Sequence, residues 1–263
     1  MARVRVAALL FVALLSFAGC SDLFEFNAFS ALDTPPAPSL SDYQGSGGLA
    51  KLEADLSSPA IVALLKADPA TTKQIEEYLL STYHVTTFGD PDTATAQQRT
   101  AAALYADLYL KTTSGDQLVN AAVARIATDS SWNGDVKSLL SDLLPPGVVH
   151  DKAAFVAMMD GLLEAKDAYE QLGTSLASPG VPPAGMKMGD IAQKAVVSYV
   201  VGEIVTTVQS QSGLASDADA IDQLFLLASG RSNSIDSDSF TSAASSQSWL
   251  QNIFDAAGMK LQD

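Results

Sequence analysis

The sequence has little of what zinc, disulfide or nucleic-acid-binding proteins ordinarily need. Its 263 residues include one cysteine and two histidines, so the chain can form no internal disulfide and offers no zinc ligand set. Lysine and arginine number 15 against 30 acidic residues, which gives a formal net charge of −15. This balance argues against nucleic acids and anionic lipid headgroups as partners, and it favours solubility or basic partners.

Sequence motifs for catalysis and phosphate binding are also absent. The chain has no Gly-x-Ser-x-Gly elbow, no glycine-rich phosphate loop and no dinucleotide fingerprint. His84 and His150 each lie beside a predicted loop at a helix end, where we interpret them as surface or cap residues. We therefore predict a protein that is not an enzyme and has no cofactor. An active site without a motif would require perturbed titratable groups around one of these histidines.

Aromatic residues are few, at 7% of the chain, whereas alanine and leucine are abundant. This composition favours helices over a β-sandwich. With 48% hydrophobic residues, the chain can bury a substantial core without disulfides. From residue 49 onwards, segments with helical spacing of apolar residues alternate with short breakers. The sequence predicts an all-α fold of about nine or ten helices, arranged as an irregular bundle or a short superhelix.

Local signals place several helix boundaries. Ser58-Pro59 and Asp68-Pro69 are each typical of an N-cap followed by proline at the first helical position. Asp151 is expected to cap the helix with the clearest apolar stripe, and Gly173 is expected to end it. Asp190 is expected to cap the helix that follows.

The segment 195–205 is ambiguous between helix and strand. It is apolar almost all round, which is typical of a centrally buried helix. It is also rich in β-branched residues, so a strand is the rival interpretation. Because the chain has no second strand-like run to pair with it, we favour the helix.

The longest interior break covers residues 174–187 and is the best candidate for a subdomain boundary. Exposed methionines are unexpected in such a break unless they cover something, and methionine suits adaptable binding surfaces. Met186 and Met188 are therefore our candidate binding surface. The break is marked by Pro179, Gly180, Pro182, Pro183 and Gly185.

Two acidic patterns resemble metal sites only in part. The turn 129–135 imitates the start of a calcium loop, but Leu140 stands where a bidentate carboxylate is needed. Asp160, Glu164 and Asp167 share one helical face, roughly opposite the apolar stripe. We expect these three carboxylates to face solvent, and we predict no metal site.

The first twenty residues have the pattern of an export signal. Arg3 and Arg5 precede an apolar run from Val6 to Leu15, and small residues then lead to Cys20. The run is too short to span a membrane, which needs about 20 apolar residues. Residues 1–19 are therefore predicted to be a signal peptide.

The ending Leu15-Ser16-Phe17-Ala18-Gly19-Cys20 resembles the lipobox of bacterial lipoproteins. In that family a diacylglyceryl group is attached to the cysteine sulfur, the preceding peptide bond is cut, and the new amino terminus is commonly acylated. The resemblance implies that Cys20 is the first mature residue and the lipid anchor. The alternative is an ordinary secretory signal cut after Ala18, which leaves Cys20 as a free thiol.

Residues 20–48 are expected to form a lipidated tether, stiffened by prolines and loosened by glycines, before an all-α domain at 49–263. The expected location is the cell envelope, facing the periplasm or the exterior. The residue after the cysteine is Ser21 rather than aspartate. By resemblance to enteric lipoproteins, this implies export to the outer membrane.

Two functions follow from these features. The first is a non-catalytic envelope lipoprotein that binds an unknown protein partner or serves as an accessory of an envelope complex. The alternative is a helical binding module for a small apolar or amphipathic ligand. An enclosed apolar pocket would favour the ligand, and a filled core with an exposed apolar groove would favour the protein partner.

Overall fold

The computed structural model describes residues 35–128, 143–177, 182–183, 185–231 and 247–259. All regular elements in these ranges are helical, which confirms the predicted all-α fold. Two 3₁₀ turns, Leu40–Tyr43 and Pro91–Thr93, accompany ten α-helices. The α-helices are α1 (Gly48–Leu56), α2 (Pro59–Ala67), α3 (Pro69–Tyr83), α4 (Ala96–Thr112), α5 (Gly115–Thr128), α6 (Pro146–Val149), α7 (Lys152–Ser175), α8 (Met188–Ser212), α9 (Asp217–Ala228) and α10 (Ser248–Ala256).

Side-chain caps begin three of the four helices whose starts the sequence predicted. The Ser58 hydroxyl accepts a hydrogen bond from the Ile61 amide at the start of α2. The Asp68 carboxylate accepts one from the amide of Thr71 at 3.1 Å, and Asp151 caps α7 at 2.9 Å from the Ala153 nitrogen. These caps satisfy amide groups that have no partner within the helix.

Two of the predicted boundaries are wrong. Gly173 does not end α7, which continues to Ser175. A Cβ atom on Gly173 would overlap the backbone carbonyl oxygen of Trp249, so this glycine allows α10 to approach α7 closely. Asp190 is not a cap either, because α8 begins two residues earlier and Asp190 lies in its first turn. There its carboxylate complements the positive end of the helix dipole.

The segment 195–205 is helical and lies in the middle of α8. This helix packs against α5, α7, α9 and α10, which explains why it is apolar on nearly all sides. Among the described residues, only α8 has the length and hydropathy to cross a membrane. Because 61% of its most apolar window is buried inside the domain, packing against the other helices accounts for that composition.

Helices α4 and α7 form the centre of the core. They pack against each other along their length, and α7 also contacts α8, α9 and α10. Tyr105 and Leu108 on α4, and Phe155 and Tyr169 on α7, are completely or almost completely buried. Helices α1, α2 and α3 cover α4 on another side.

The packed unit begins at Pro38, within the range that the sequence analysis assigned to the tether. Tyr43 is 1% exposed, and its hydroxyl donates a hydrogen bond to Asp55 at 2.9 Å. Lys51 also donates to this carboxylate, at 2.7 Å. The contact fixes the 3₁₀ turn against α1, so ordered structure starts before residue 49.

Candidate functional site

A cleft of about 220 Å³ lies where α1, α4 and the start of α8 meet. The connection that enters α8 forms one of its walls, through Gly185, Met186 and Lys187. Three acidic and three basic side chains line it: Glu53, Asp107, Asp190, Lys111, Lys187 and Lys194. In a chain with twice as many acidic as basic residues, this cleft is a local concentration of lysine.

The structure separates the two methionines that the sequence predicted as a binding surface. Met186 is partly exposed and lines the cleft. Met188 is 8% exposed and belongs to the hydrophobic core at the start of α8. Met188 therefore contributes to packing rather than to an exposed surface.

One ion pair holds two of the cleft's walls together. The Lys194 ammonium on α8 donates to Asp107 Oδ1 on α4 at 2.6 Å, with about a fifth of each side chain exposed. The Tyr169 hydroxyl approaches the same oxygen at 3.4 Å. Lys111 donates to the carbonyl oxygen of Leu56 at 2.6 Å, at the negative end of the α1 dipole. These contacts connect α4 to α7, to α8 and to the end of α1.

Three of the charged side chains that line the cleft have no ion-pair partner among the described residues. Glu53, Lys187 and Asp190 form no ion pair with any other described residue. Gly185 has a φ of +80°, and a Cβ atom there would lie 3.1 Å from a Glu53 carboxylate oxygen. Glycine at this position thus leaves the Glu53 carboxylate uncovered.

A shallower groove of about 390 Å³ shares Glu53 and Gly185 with the cleft. Leu49, Ala50 and Tyr83 supply apolar area along it. We call the cleft and this groove together the α1 surface. An apolar groove beside a charged cleft combines the two kinds of surface found in the core and rim of a protein interface.

A second cluster lies where α4 contacts α3 and α7. The Tyr105 hydroxyl donates to Glu164 Oε2 on α7 at 2.9 Å, and the Tyr109 hydroxyl donates to Glu76 Oε2 on α3 at 3.1 Å. The expectation that Glu164 faces solvent is therefore wrong, because Tyr105 draws it into a half-buried contact. Asp160 and Asp167 are exposed, as predicted.

Burial makes proton loss from this cluster harder. It raises the pKa of Glu76 to about 6, and the neighbouring negative charge of Glu164 adds to the effect. Burial also raises the pKa of the Tyr105 and Tyr109 hydroxyls, so both act as neutral hydrogen-bond donors.

The remaining candidates from the sequence form no chemical site among the described residues. His84 and His150 are exposed at the C-terminal ends of α3 and α6, in the positions expected of them. No group of three or more histidine, cysteine, aspartate or glutamate side chains in the described ranges is arranged to hold a metal ion. Cys20 and the turn 129–135 lie outside the described residues.

Sequence reasoning missed both the ion pair and the tyrosine–carboxylate cluster. Asp107 and Lys194 are 87 residues apart, and Tyr105 and Glu164 are 59 apart, so no local pattern connects them. The one relevant signal was the break before α8, from which Met186 was predicted to be a binding residue. In the structure Met186 lines the cleft.

No protein-family model, curated protein or solved structure matches this chain. The described residues form an all-α domain that carries the α1 surface.

Proposed function

We propose that the protein is a lipoprotein anchored through Cys20 in a membrane of the bacterial cell envelope. It acts without catalysis, as a protein-binding or accessory component of an envelope complex. The observation that carries the proposal is the only cysteine of the chain, placed directly after Ala18-Gly19 at the end of an export signal. Two or more acyl chains give stable anchoring, and each buried methylene contributes about 0.8 kcal/mol.

Ser21 directs the anchored protein to the outer membrane in this proposal, by its resemblance to enteric lipoproteins. In this proposal the helical body faces the periplasm or the exterior. The excess of acidic residues keeps that body away from anionic headgroups and favours a partner with a basic surface.

The α1 surface supports a protein partner more than a small ligand. The charged cleft, at about 220 Å³, is smaller than the pockets of roughly 300–1,000 Å³ that hold small molecules. The adjoining groove is larger but shallow. Together they suit a few side chains of a partner, with apolar contact in the groove and charge complementarity at Glu53 and Lys187.

Membrane fractionation tests the anchor. Wild-type protein expressed in its bacterial host is expected in the membrane fraction, and a Cys20→Ser variant is expected in the soluble envelope fraction. Serine leaves the fold of the domain unchanged but offers no sulfur for acylation. Equal distribution of the two proteins would contradict the proposal.

Site-specific photo-crosslinking tests the partner. A photoreactive residue at Met186 is expected to give a discrete protein adduct in intact cells. The control is the same residue at the exposed Gln211, near the other end of α8, which is about 36 Å long. An adduct pattern that is the same at both positions would argue against the α1 surface as the interface.

The second candidate is a binding module for a small amphipathic ligand, favoured by the apolar groove beside the charged cleft. It predicts that the purified domain binds a fluorescent fatty-acid probe and that Ala50→Asp, on the wall of the groove, abolishes binding. Without probe binding by the wild type, this candidate is eliminated.

A further inference from the structure

Tyr105 and Tyr109 lie four residues apart on the same face of α4 and bring two carboxylates towards each other. Their ring centroids are 4.9 Å apart in an edge contact. Each hydroxyl donates to one carboxylate, Tyr105 to Glu164 on α7 and Tyr109 to Glu76 on α3. Two acidic groups from separate helices are therefore held at neighbouring points of one half-buried contact.

Nothing cationic compensates this pair at hydrogen-bond distance among the described residues. Lys73, one turn before Glu76 on α3, is 73% exposed and approaches Glu77 at 3.9 Å. The charged groups that act on Glu76 are Glu164, which disfavours its ionisation, Lys73, which favours it, and Glu77, which disfavours it. Burial is the largest influence and also disfavours the charged form, whereas the hydrogen bond from Tyr109, the next largest, favours the charged form without outweighing burial.

We propose that this contact between α3, α4 and α7 is a proton-sensitive latch, which holds α3 firmly in mild acid and weakens as the pH approaches neutrality. Apart from α2 and the first 3₁₀ turn, α4 is the main element that holds α3 to the domain. A protonated Glu76 keeps its hydrogen bond to Tyr109 without charge repulsion from Glu164. An ionised Glu76 places a second negative charge in the contact.

The direction of the pH dependence follows from where the proton binds more tightly. The pKa of Glu76 is raised from 4.5 to about 6 in the folded protein, so the folded state holds a proton that the unfolded state releases. The resulting stabilisation is complete below about pH 4.5 and is lost as the pH rises through 6. Between about pH 5 and pH 7.5 the unfolding equilibrium constant should change by up to about eightfold from this group, an upper limit because solvent reaches part of the carboxylate.

Urea unfolding of wild type, Glu76→Gln and Glu77→Gln at these two pH values tests the latch. Glu77→Gln is the matched control, since it removes the same charge from the next residue, which is 64% exposed and has the smallest influence on Glu76 of the three charged groups. Any acidic protein gains some stability in acid from reduced self-repulsion, and the control measures that gain. Wild type and Glu77→Gln should both lose more stability between the two pH values than Glu76→Gln, because only they retain the Glu76 carboxyl group. Equal pH dependence of both variants would overturn the proposal.

Two further measurements test the proposal without relying on the stability of a variant. NMR titration of the Glu76 carboxyl carbon in wild type should give a midpoint near 6, and Glu164→Gln should lower it. A midpoint near the ordinary value of 4.5 contradicts the latch. The rate of amide exchange in α3, divided by the rate in α9 of the same molecule, should rise with pH. An unchanged ratio would show that protonation of Glu76 does not stabilise α3.

Discussion

Replacing Gly173 by alanine distinguishes the effect of tertiary packing on stability from the effect of helix propensity. In an ordinary helix interior this change stabilises a protein by about 1 kcal/mol, because glycine is the more flexible residue. Here a Cβ atom would overlap the Trp249 carbonyl oxygen and lie 2.8 Å from its carbon and 3.1 Å from Ile253 Cγ1. A backbone oxygen cannot rotate away, so α10 must shift from α7.

The size of the effect follows from these opposing terms. Overpacking of this kind costs typically 1–3 kcal/mol, and a backbone clash lies at the upper end. After subtraction of the propensity gain, Gly173→Ala should destabilise the domain by about 2 kcal/mol. For a domain of this length that corresponds to a fall in Tm of about 4–8 °C.

Gly202→Ala is the matched control, also in the interior of a long helix. Its Cβ atom would lie 2.7 Å from Cδ of Lys166, a flexible side chain with 23% exposure that can move aside. We expect Gly202→Ala to stay within about 1 kcal/mol of wild type. Thermal unfolding followed by circular dichroism compares the two variants. If Gly173→Ala raises Tm as propensity alone predicts, the close contact between α7 and α10 is refuted.

Two other substitutions test how the domain is held together. Arg99 is 6% exposed and donates to Ser175 Oγ at 3.1 Å and to the Ser175 carbonyl oxygen at 2.9 Å, at the C-terminal end of α7. Arg99→Met should lower the free energy of unfolding in urea by about 2–4 kcal/mol, because the buried carbonyl loses its hydrogen-bond donor. An unchanged midpoint would show that this buried cation costs as much as its bonds provide. Tyr43→Phe should lower the free energy of unfolding by about 1–2 kcal/mol, because the hydrogen bond to Asp55 is lost. Lys51→Met removes an exposed partner of the same carboxylate and should lower it by about 0.5 kcal/mol or less. The reverse order would contradict the role of Tyr43 as the start of the packed domain.

The parts of the fold that depend on neighbouring residues could be predicted from the sequence. A side-chain cap bonds an amide two or three residues away, so Ser58, Asp68 and Asp151 could be recognised as caps from the neighbouring sequence alone. The choice of helix for 195–205 followed from the lack of a strand to pair with it. These inferences need no knowledge of which helices meet.

The parts that depend on distant residues could not be predicted. Gly173 was expected to end α7 because glycine commonly does so, and only the position of Trp249 shows why it lies within the helix. Glu164 fell on the polar face of α7 by periodicity, yet Tyr105 comes from a helix 59 residues earlier. Tertiary contacts overrule local patterns at both positions.

The mass of the amino-terminal peptide, measured on protein purified from membranes of a bacterial host, tests the central claim most directly. The account predicts a peptide that begins at Cys20 and carries a diacylglyceryl group on sulfur, with or without a further acyl chain on nitrogen. A peptide that begins at Ser21 or before Cys20, or one in which Cys20 carries a free thiol, would contradict it.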